Sequence, residues 1–356
     1  MKITSKRALG AATCTLGIGA LSLIILAGCG GSGSSATGST TTGTTGNVTS
    51  QYVGTQSPGD VWNMSISNTT FSATDTSLSY NYSGSVLLQA SGIFKLTFNA
   101  TNDPSLTVPA VGFAFHVPGV GLVARFGDST HTPLVAVVLG VCPTADGSYN
   151  FVAVPRKAWA STTDAAYGTA TYTASSAQLA VDPFLISGIA QPVSTVDVTC
   201  SAGVGTAGTK TMVISPTGSI VVDFGLNLGG AVGMIAPSAN IDLGTLTSFD
   251  YRGMIHRPED GTRVAWLRTN GNGGFRIGFY TDANQWVEDG NAGHGATITN
   301  FAQPSPGLLT ATLTYQSDGT TVPVVISVNT VGGKFVLHGL AAGATHERDF
   351  HFIQRG

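Results

Sequence analysis

Charge is scarce in this chain: charged residues fill 10% of its 356 positions, against about 25% in ordinary soluble domains. What charge there is leans acidic, with 16 Lys and Arg against 19 Asp and Glu. That balance excludes the basic surface on which nucleic-acid binding depends. Amphipathic helical periodicity is also missing beyond the N-terminal apolar stretch, which argues against a helical body. No G-x-S-x-G elbow, H-E-x-x-H helix or C-x-x-C pair occurs, so positive evidence for a serine hydrolase, a zinc protease or a thiol oxidoreductase is lacking. An enzyme assembled from distant strands is not excluded by that absence. Cysteines number only 4, at Cys14, Cys29, Cys142 and Cys200.

The N-terminus is where long apolar sequence is found. Lys2, Lys6 and Arg7 precede an apolar run from Ala8 to Ala27, the layout of a secretory signal. The run ends at Leu26-Ala27-Gly28-Cys29. This resembles the lipobox of bacterial lipoproteins, in which an apolar and two small residues precede a Cys that becomes the lipid-modified N-terminus. The resemblance covers residues 1–29 only. It implies that 1–28 are removed, that Cys29 carries diacylglycerol and an N-acyl chain such as palmitate, and that the membrane is the first partner. An uncleaved transmembrane helix is the alternative, since the run has about the length a bilayer needs. The residue after Cys29 is Gly30 rather than Asp. In a host with two membranes, the resemblance then implies the outer one.

Residues 29–58 are almost wholly Gly, Ser and Thr, and no charge appears before Asp60. Such a segment cannot bury enough apolar surface to offset its ordering entropy, so a flexible tether is expected. The mature chain from Cys29 holds 13 basic and 19 acidic residues, a net charge of −6.

Past the tether, short β-branched or aromatic runs recur, bounded by Gly, Pro, Asn and Asp. Examples are Ser77 to Ser83, Ile93 to Phe98, Leu134 to Val141, Ser219 to Phe224 and Leu309 to Tyr315. Asp-Gly pairs at Asp146, Asp260, Asp289 and Asp318 suit tight hairpins. The expected class is all-β, an antiparallel meander forming barrel- or sandwich-like units. A composition break near residue 245, after which five of the seven histidines fall, suggests a β-rich domain over 59–244 and a second β-rich unit over 245–356. Cys142 and Cys200 form an even pair in an exported chain, and a disulfide between them is expected.

Gly203 to Gly208 matches G-x-G-x-x-G, but the following Thr211 to Ile214 reads as a strand. The helix N-terminus a dinucleotide needs is therefore missing. Asp282, Asn284, Glu288 and Asp289 miss calcium-loop spacing. No metal or other cofactor is implied. In His346 to His351, a strand would place Glu347, Asp349 and His351 on one face. A charged, solvated edge strand explains this cluster better than acid–base chemistry. The candidate ligand-binding residues are Arg252, His256, Trp266 and Arg268, with Trp286 as a stacking wall. Guanidinium groups beside aromatics suit an anionic glycan or carboxylate, and ordinary strand-face charge is the competing account. A non-catalytic envelope role, binding a glycan or protein ligand or serving structurally, is the leading expectation. An enzyme acting on envelope glycans and a surface adhesin are the alternatives.

Overall fold

The computed structural model describes residues 49–56, 60–126, 133–154, 166–208, 210–223, 232–257, 261–280, 286–287, 295–316, 318–341 and 348–356. All fall within one compact unit, Thr45–Gly356. The segment 1–48, with Cys29, lies outside the described residues.

The chain forms three successive antiparallel meanders, each closed on itself. The first comprises β1 (Ser50–Gln56), β2 (Asp60–Ile66), β3 (Thr70–Asp75), β4 (Tyr80–Leu88), β5 (Phe94–Thr101), β6 (Ala110–Val117), β7 (Gly121–Arg125) and β8 (Leu134–Val137). Pairing of β8 with β1, at Val53↔Val137 to Thr55↔Val135, closes it. The second runs β9 (Gly147–Val154), β10 (Ala166–Thr173), β11 (Gln178–Leu185), β12 (Ser194–Ser201), β13 (Val204–Ala207), β14 (Lys210–Ile214), β15 (Ile220–Asp223) and β16 (Val232–Pro237), closed by β16 on β9. A single helical turn, α1 (Leu243–Leu246), leads into the third, capped by the Asp242 carboxylate accepting from Gly244 N. The third holds β17 (Tyr251–Arg257), β18 (Gly261–Thr269), β19 (Phe275–Tyr280), β20 (Trp286–Val287), β21 (Ala296–Ser305), β22 (Leu308–Tyr315), β23 (Thr321–Val331), β24 (Lys334–Ala341) and β25 (Arg348–Gln354). There β20 and β21 share one edge of β19. Pairing of β18 with β19 and of β17 with β25 completes a ring. The body is thus all-β, and closure leaves few free edges.

Each barrel has its own lumen core. In the first, Trp62, Tyr82, Phe98 and Phe126 interlock, with Trp62 and Tyr82 stacked at 5.2 Å between centroids. In the third, Tyr251, Phe275, Phe350 and Phe352 fill the lumen. An eight-stranded ring encloses just enough space for side chains, so these interiors are packed rather than channels.

Two expectations change. The tether read over 29–58 overlaps β1, whose seven residues all pair with β2. Tyr52, 1% exposed in the lumen, anchors that strand. Its Gly- and Thr-rich surroundings conceal a period-two pattern. The segment 59–244 holds parts of two barrels with separate cores, not one domain, because the ring closes after eight strands and the chain must begin another.

The barrels meet through their outer faces. Phe113, Phe115 and Val123 of the first pack on Met254, Val264 and Ile353 of the third. Val152 and Ile186 of the second pack on Leu308, Val325 and Leu340 of the third. Val135 and Val137 of the first pack on Val213 and Val221 of the second. The strands at these seams are apolar on both faces, as β7 and β8 illustrate by being buried along their whole length. Cys142, in the linker after the first barrel, forms a disulfide with Cys200 on β12 across a separation of 58 residues.

The disulfide generates a prediction. Replacing Cys200 with Ser should lower unfolding free energy by about 4 kcal/mol, the chain-entropy figure for a loop of this length. Urea melts of oxidised wild type and variant check it. Coincident midpoints would show that the linker is already restrained in the unfolded chain.

Candidate functional site

The polar side chains with chemical potential gather on the outer face of β17, β24 and β25, where the three seams converge. Alternation along β25 sends Phe350 and Phe352 into the lumen and Asp349, His351 and Ile353 outward. On β24, Leu337 and Ala341 point in, so His338 points out, opposite His351 in the ladder. The outward side meets the other barrels instead of water: Asp349 is 2%, His351 2% and His338 3% exposed.

These three groups form a chain. His338 Nδ1 lies 2.8 Å from His351 Nδ1, and His351 Nε2 lies 3.2 Å from Asp349 Oδ2. Donor and acceptor roles follow from the chemistry of the groups. A carboxylate only accepts, so His351 donates from Nε2 to Asp349. Of the two facing Nδ1 atoms, one ring donates and the other accepts. Among the described residues neither His338 Nε2 nor Asp349 Oδ1 has a hydrogen-bond partner. Burial first, then the neighbouring His351, holds the His338 pKa well below its usual value, so its ring is neutral near pH 7.

Other polar groups stitch the same junction. Asn329, on β23, donates to Ser219 Oγ just before β15. Ser327 Oγ donates to Asn150 Oδ1 on β9 at 2.5 Å. Arg125, at the end of β7, donates to the Thr262 carbonyl at 3.1 Å and lies over the Phe113 ring at 4.9 Å. Where the seams meet, Ser219, Asn329 and His338 share the wall of a cavity with valines of the first barrel. Its volume of about 20 Å³ is on the scale of one water molecule. No organic substrate fits it.

The sequence-designated residues occupy the same outer face. Arg252 is wholly buried; its Nε donates to the Ser91 carbonyl of the first barrel at 3.4 Å and its Nη1 to the Tyr251 carbonyl at 3.0 Å. Burial lowers its pKa from the ordinary arginine value. His256 is 5% exposed, with Nδ1 2.9 Å from Thr262 Oγ1. The Trp266 ring lies flat on Gly278, where any Cβ would stand 2.2 Å from it. Arg268 covers that ring at 4.5 Å and pairs with Asp250 at 3.7 Å. The Trp286 side chain lies outside the described residues, as do His346, Glu347 and the acids Asp282, Glu288 and Asp289. The structure thus buries Arg252, His256 and Trp266 on the outer wall of the third barrel, with Arg252 reaching the first.

The edge-strand reading of His346 to His351 is corrected. β25 is hydrogen-bonded on both sides, to β17 and β24, because the meander closes there. His338, Arg125, Asn150 and Asn329 escaped the sequence reading. Their one signal is a single polar residue inside a run apolar on both faces, as in Phe335-Val336-Leu337-His338. Among the described residues, no group of three or more His, Cys, Asp or Glu is placed to hold a metal ion. The larger depression, about 350 Å³, is open and sits over Ser72, Thr74, Asn81 and Asn102.

No match emerges from comparison of the chain with protein-family models, curated proteins or solved structures.

A pH dependence follows. His338 and His116 both have lowered pKa values, His116 reaching about 4 through burial. Unfolded, each titrates near about 6.5. Between the folded and unfolded values the unfolded chain holds the extra proton, so this contribution is full above the unfolded value and is lost as pH falls. Each histidine should contribute a slope of up to about 1.4 kcal/mol per pH unit in that window. Urea unfolding across mild acid checks it: His338→Gln should flatten the profile, and parallel profiles for variant and wild type would refute it.

Proposed function

We infer that this chain is a lipid-anchored envelope protein whose body has a binding or structural role rather than a catalytic one. The anchor rests on the lipobox-like Leu26-Ala27-Gly28-Cys29 and the basic and apolar residues before it. Two or three acyl chains hold a protein at a bilayer where one holds it only marginally. With Gly30 after the cysteine, the outer membrane is the favoured site in a host that has two.

One observation carries the non-catalytic half of the reading. Among the described residues, those best suited to chemistry, Arg252, His256, His338, His351 and Asp349, are each no more than 5% exposed and hydrogen-bond within the molecule. A proton acceptor must come within hydrogen-bond reach of its substrate, and the cavity beside His338 admits nothing larger than a water molecule. What the body offers a partner is its outer surface, poor in charge and rich in Ser, Thr and Asn, suited to a neutral glycan or to another envelope protein.

Intact mass of the protein purified from its native membrane tests the anchor. The expected polypeptide starts at Cys29 and carries the added mass of diacylglycerol and an acyl chain. In fractionated cells, Cys29→Ser should move the protein from the membrane pellet to the soluble fraction. A native chain that still starts at Met1, or one without acyl mass, would end the reading.

A further inference from the structure

The rim of the first barrel that receives the N-terminal chain is unlike an ordinary surface. It is made of the start of β1 at Ser50 and the turns β2–β3, β4–β5 and β6–β7. Residues 49–51, 67–70, 85–93 and 117–120 carry no charge at all. At the β4–β5 turn, Leu87 is 63% and Leu88 55% exposed. Adjacent exposed leucines on a charge-free rim mark a contact surface.

The third barrel extends this rim with bases. The two barrels lie side by side with matching ends: Ser91 at the rim meets Arg252 near the start of β17, and Arg125 at the far end meets Thr262 at the start of β18. Val120 of the rim accordingly lies beside Gly332 in the β23–β24 turn. Lys334 follows that turn as the first residue of β24, and Arg355 Nε lies 4.0 Å from where a Cβ of Gly92 would stand, against the β4–β5 turn itself. Lys95 is the ladder partner of Leu87. Of the described acids at this end, Asp250 is paired with Arg268 and Asp242, which caps α1, stays anionic, so three bases face one unpaired acid.

We propose that this end, with Leu87 and Leu88 inserted and Lys95, Lys334 and Arg355 around them, docks on an anionic lipid bilayer. The proposal rests on the anchor reading for what brings the rim to the membrane. Cys29 precedes Thr49 in the chain, so this rim is the part of the described body that follows the anchor most closely in sequence. Leucine side chains lose water in the headgroup region, and each base near an anionic surface contributes. A protein partner is the competing occupant, but the matching of bases to headgroups and the entry of the chain at this rim both favour lipid.

The test uses the full chain purified from its membrane and reconstituted in vesicles of phosphatidylethanolamine and phosphatidylglycerol containing a nitroxide-labelled lipid. A fluorophore is placed on Leu88→Cys or, as control, on Leu78→Cys, which is 45% exposed on the opposite rim. Unsubstituted chain serves as the labelling blank. Quenching should be several-fold greater at position 88 than at 78 and should weaken at high salt. In Lys334→Glu and Arg355→Glu variants the docked-to-free ratio should fall about fivefold per base removed, the factor that about 1 kcal/mol represents. Equal quenching at both positions, or none at 88 while the chain stays on the vesicles, overturns the proposal. The mass of the same preparation separates the two readings. Acyl mass without quenching at 88 leaves the anchor standing and removes the docking face. Quenching at 88 in a chain lacking acyl mass does the reverse.

Discussion

Burial of barrel exteriors against one another is the constraint on which this body depends. A closed meander satisfies its backbone hydrogen bonds internally and offers no edge for pairing, so one barrel can join another only through side chains on its outer wall. Met254, Ile353, Val213 and Leu340 stand on outer walls, and each is no more than 2% exposed. Removing a side chain of that size from water contributes roughly 1.5–3 kcal/mol. The cost falls on the sequence: seam strands must be apolar on both faces, and such strands would be adhesive in an isolated barrel. The fold therefore requires all three barrels to form together at the junction.

That requirement explains which parts of the fold were legible in the sequence. Strands with one face in a lumen and one in water alternate cleanly. β22, whose buried positions Leu309, Ala311, Leu313 and Tyr315 lie two apart, is the plainest case. Turn chemistry was equally visible, as at Asp318-Gly319, where Gly319 adopts a φ of 73° and the Asp318 carboxylate accepts from Thr320 N. The Cys142–Cys200 pairing followed from the cysteine count and the expectation of an oxidising compartment. Register did not. Ser77 to Ser83 alternates, yet β4 begins only at Tyr80, because the Asp75 carboxylate accepts from Ser77 N and Leu78 N and holds a turn there.

The candidate site was harder to read because it belongs to no single segment. His338 and His351 are ladder partners, Asn150 and Ser219 come from another barrel, and Arg125 from a third. A histidine inside an apolar strand looks the same in sequence whether it faces a lumen, a ligand or a neighbouring domain. Arg252 misleads in the opposite direction. An arginine near Tyr251 and Trp266 suggests an exposed grip, and only burial to 0% reveals that its guanidinium bridges barrels. Recognising this in advance would have required knowing that β17 faces the first barrel. That is a fact of topology, not of composition.

The polar junction is better understood as setting register than as adding stability. Two of its atoms, His338 Nε2 and Asp349 Oδ1, have no partner among the described residues, and each such buried group costs about 1–3 kcal/mol. Apolar residues of similar volume would hold the seams at least as firmly. They would also tolerate sliding, since valine packs on valine in many registers. Along β23 the lumen receives Val328 while Ser327 and Asn329 point outward to Asn150 and Ser219. A slip of one residue would drive both polar groups into the lumen and bring Val328 out. Hydrogen bonds of fixed direction to two different elements of the second barrel thus select one docking from the many that apolar surfaces alone would permit. The position of Arg252 against Ser91 acts in the same way on the first barrel.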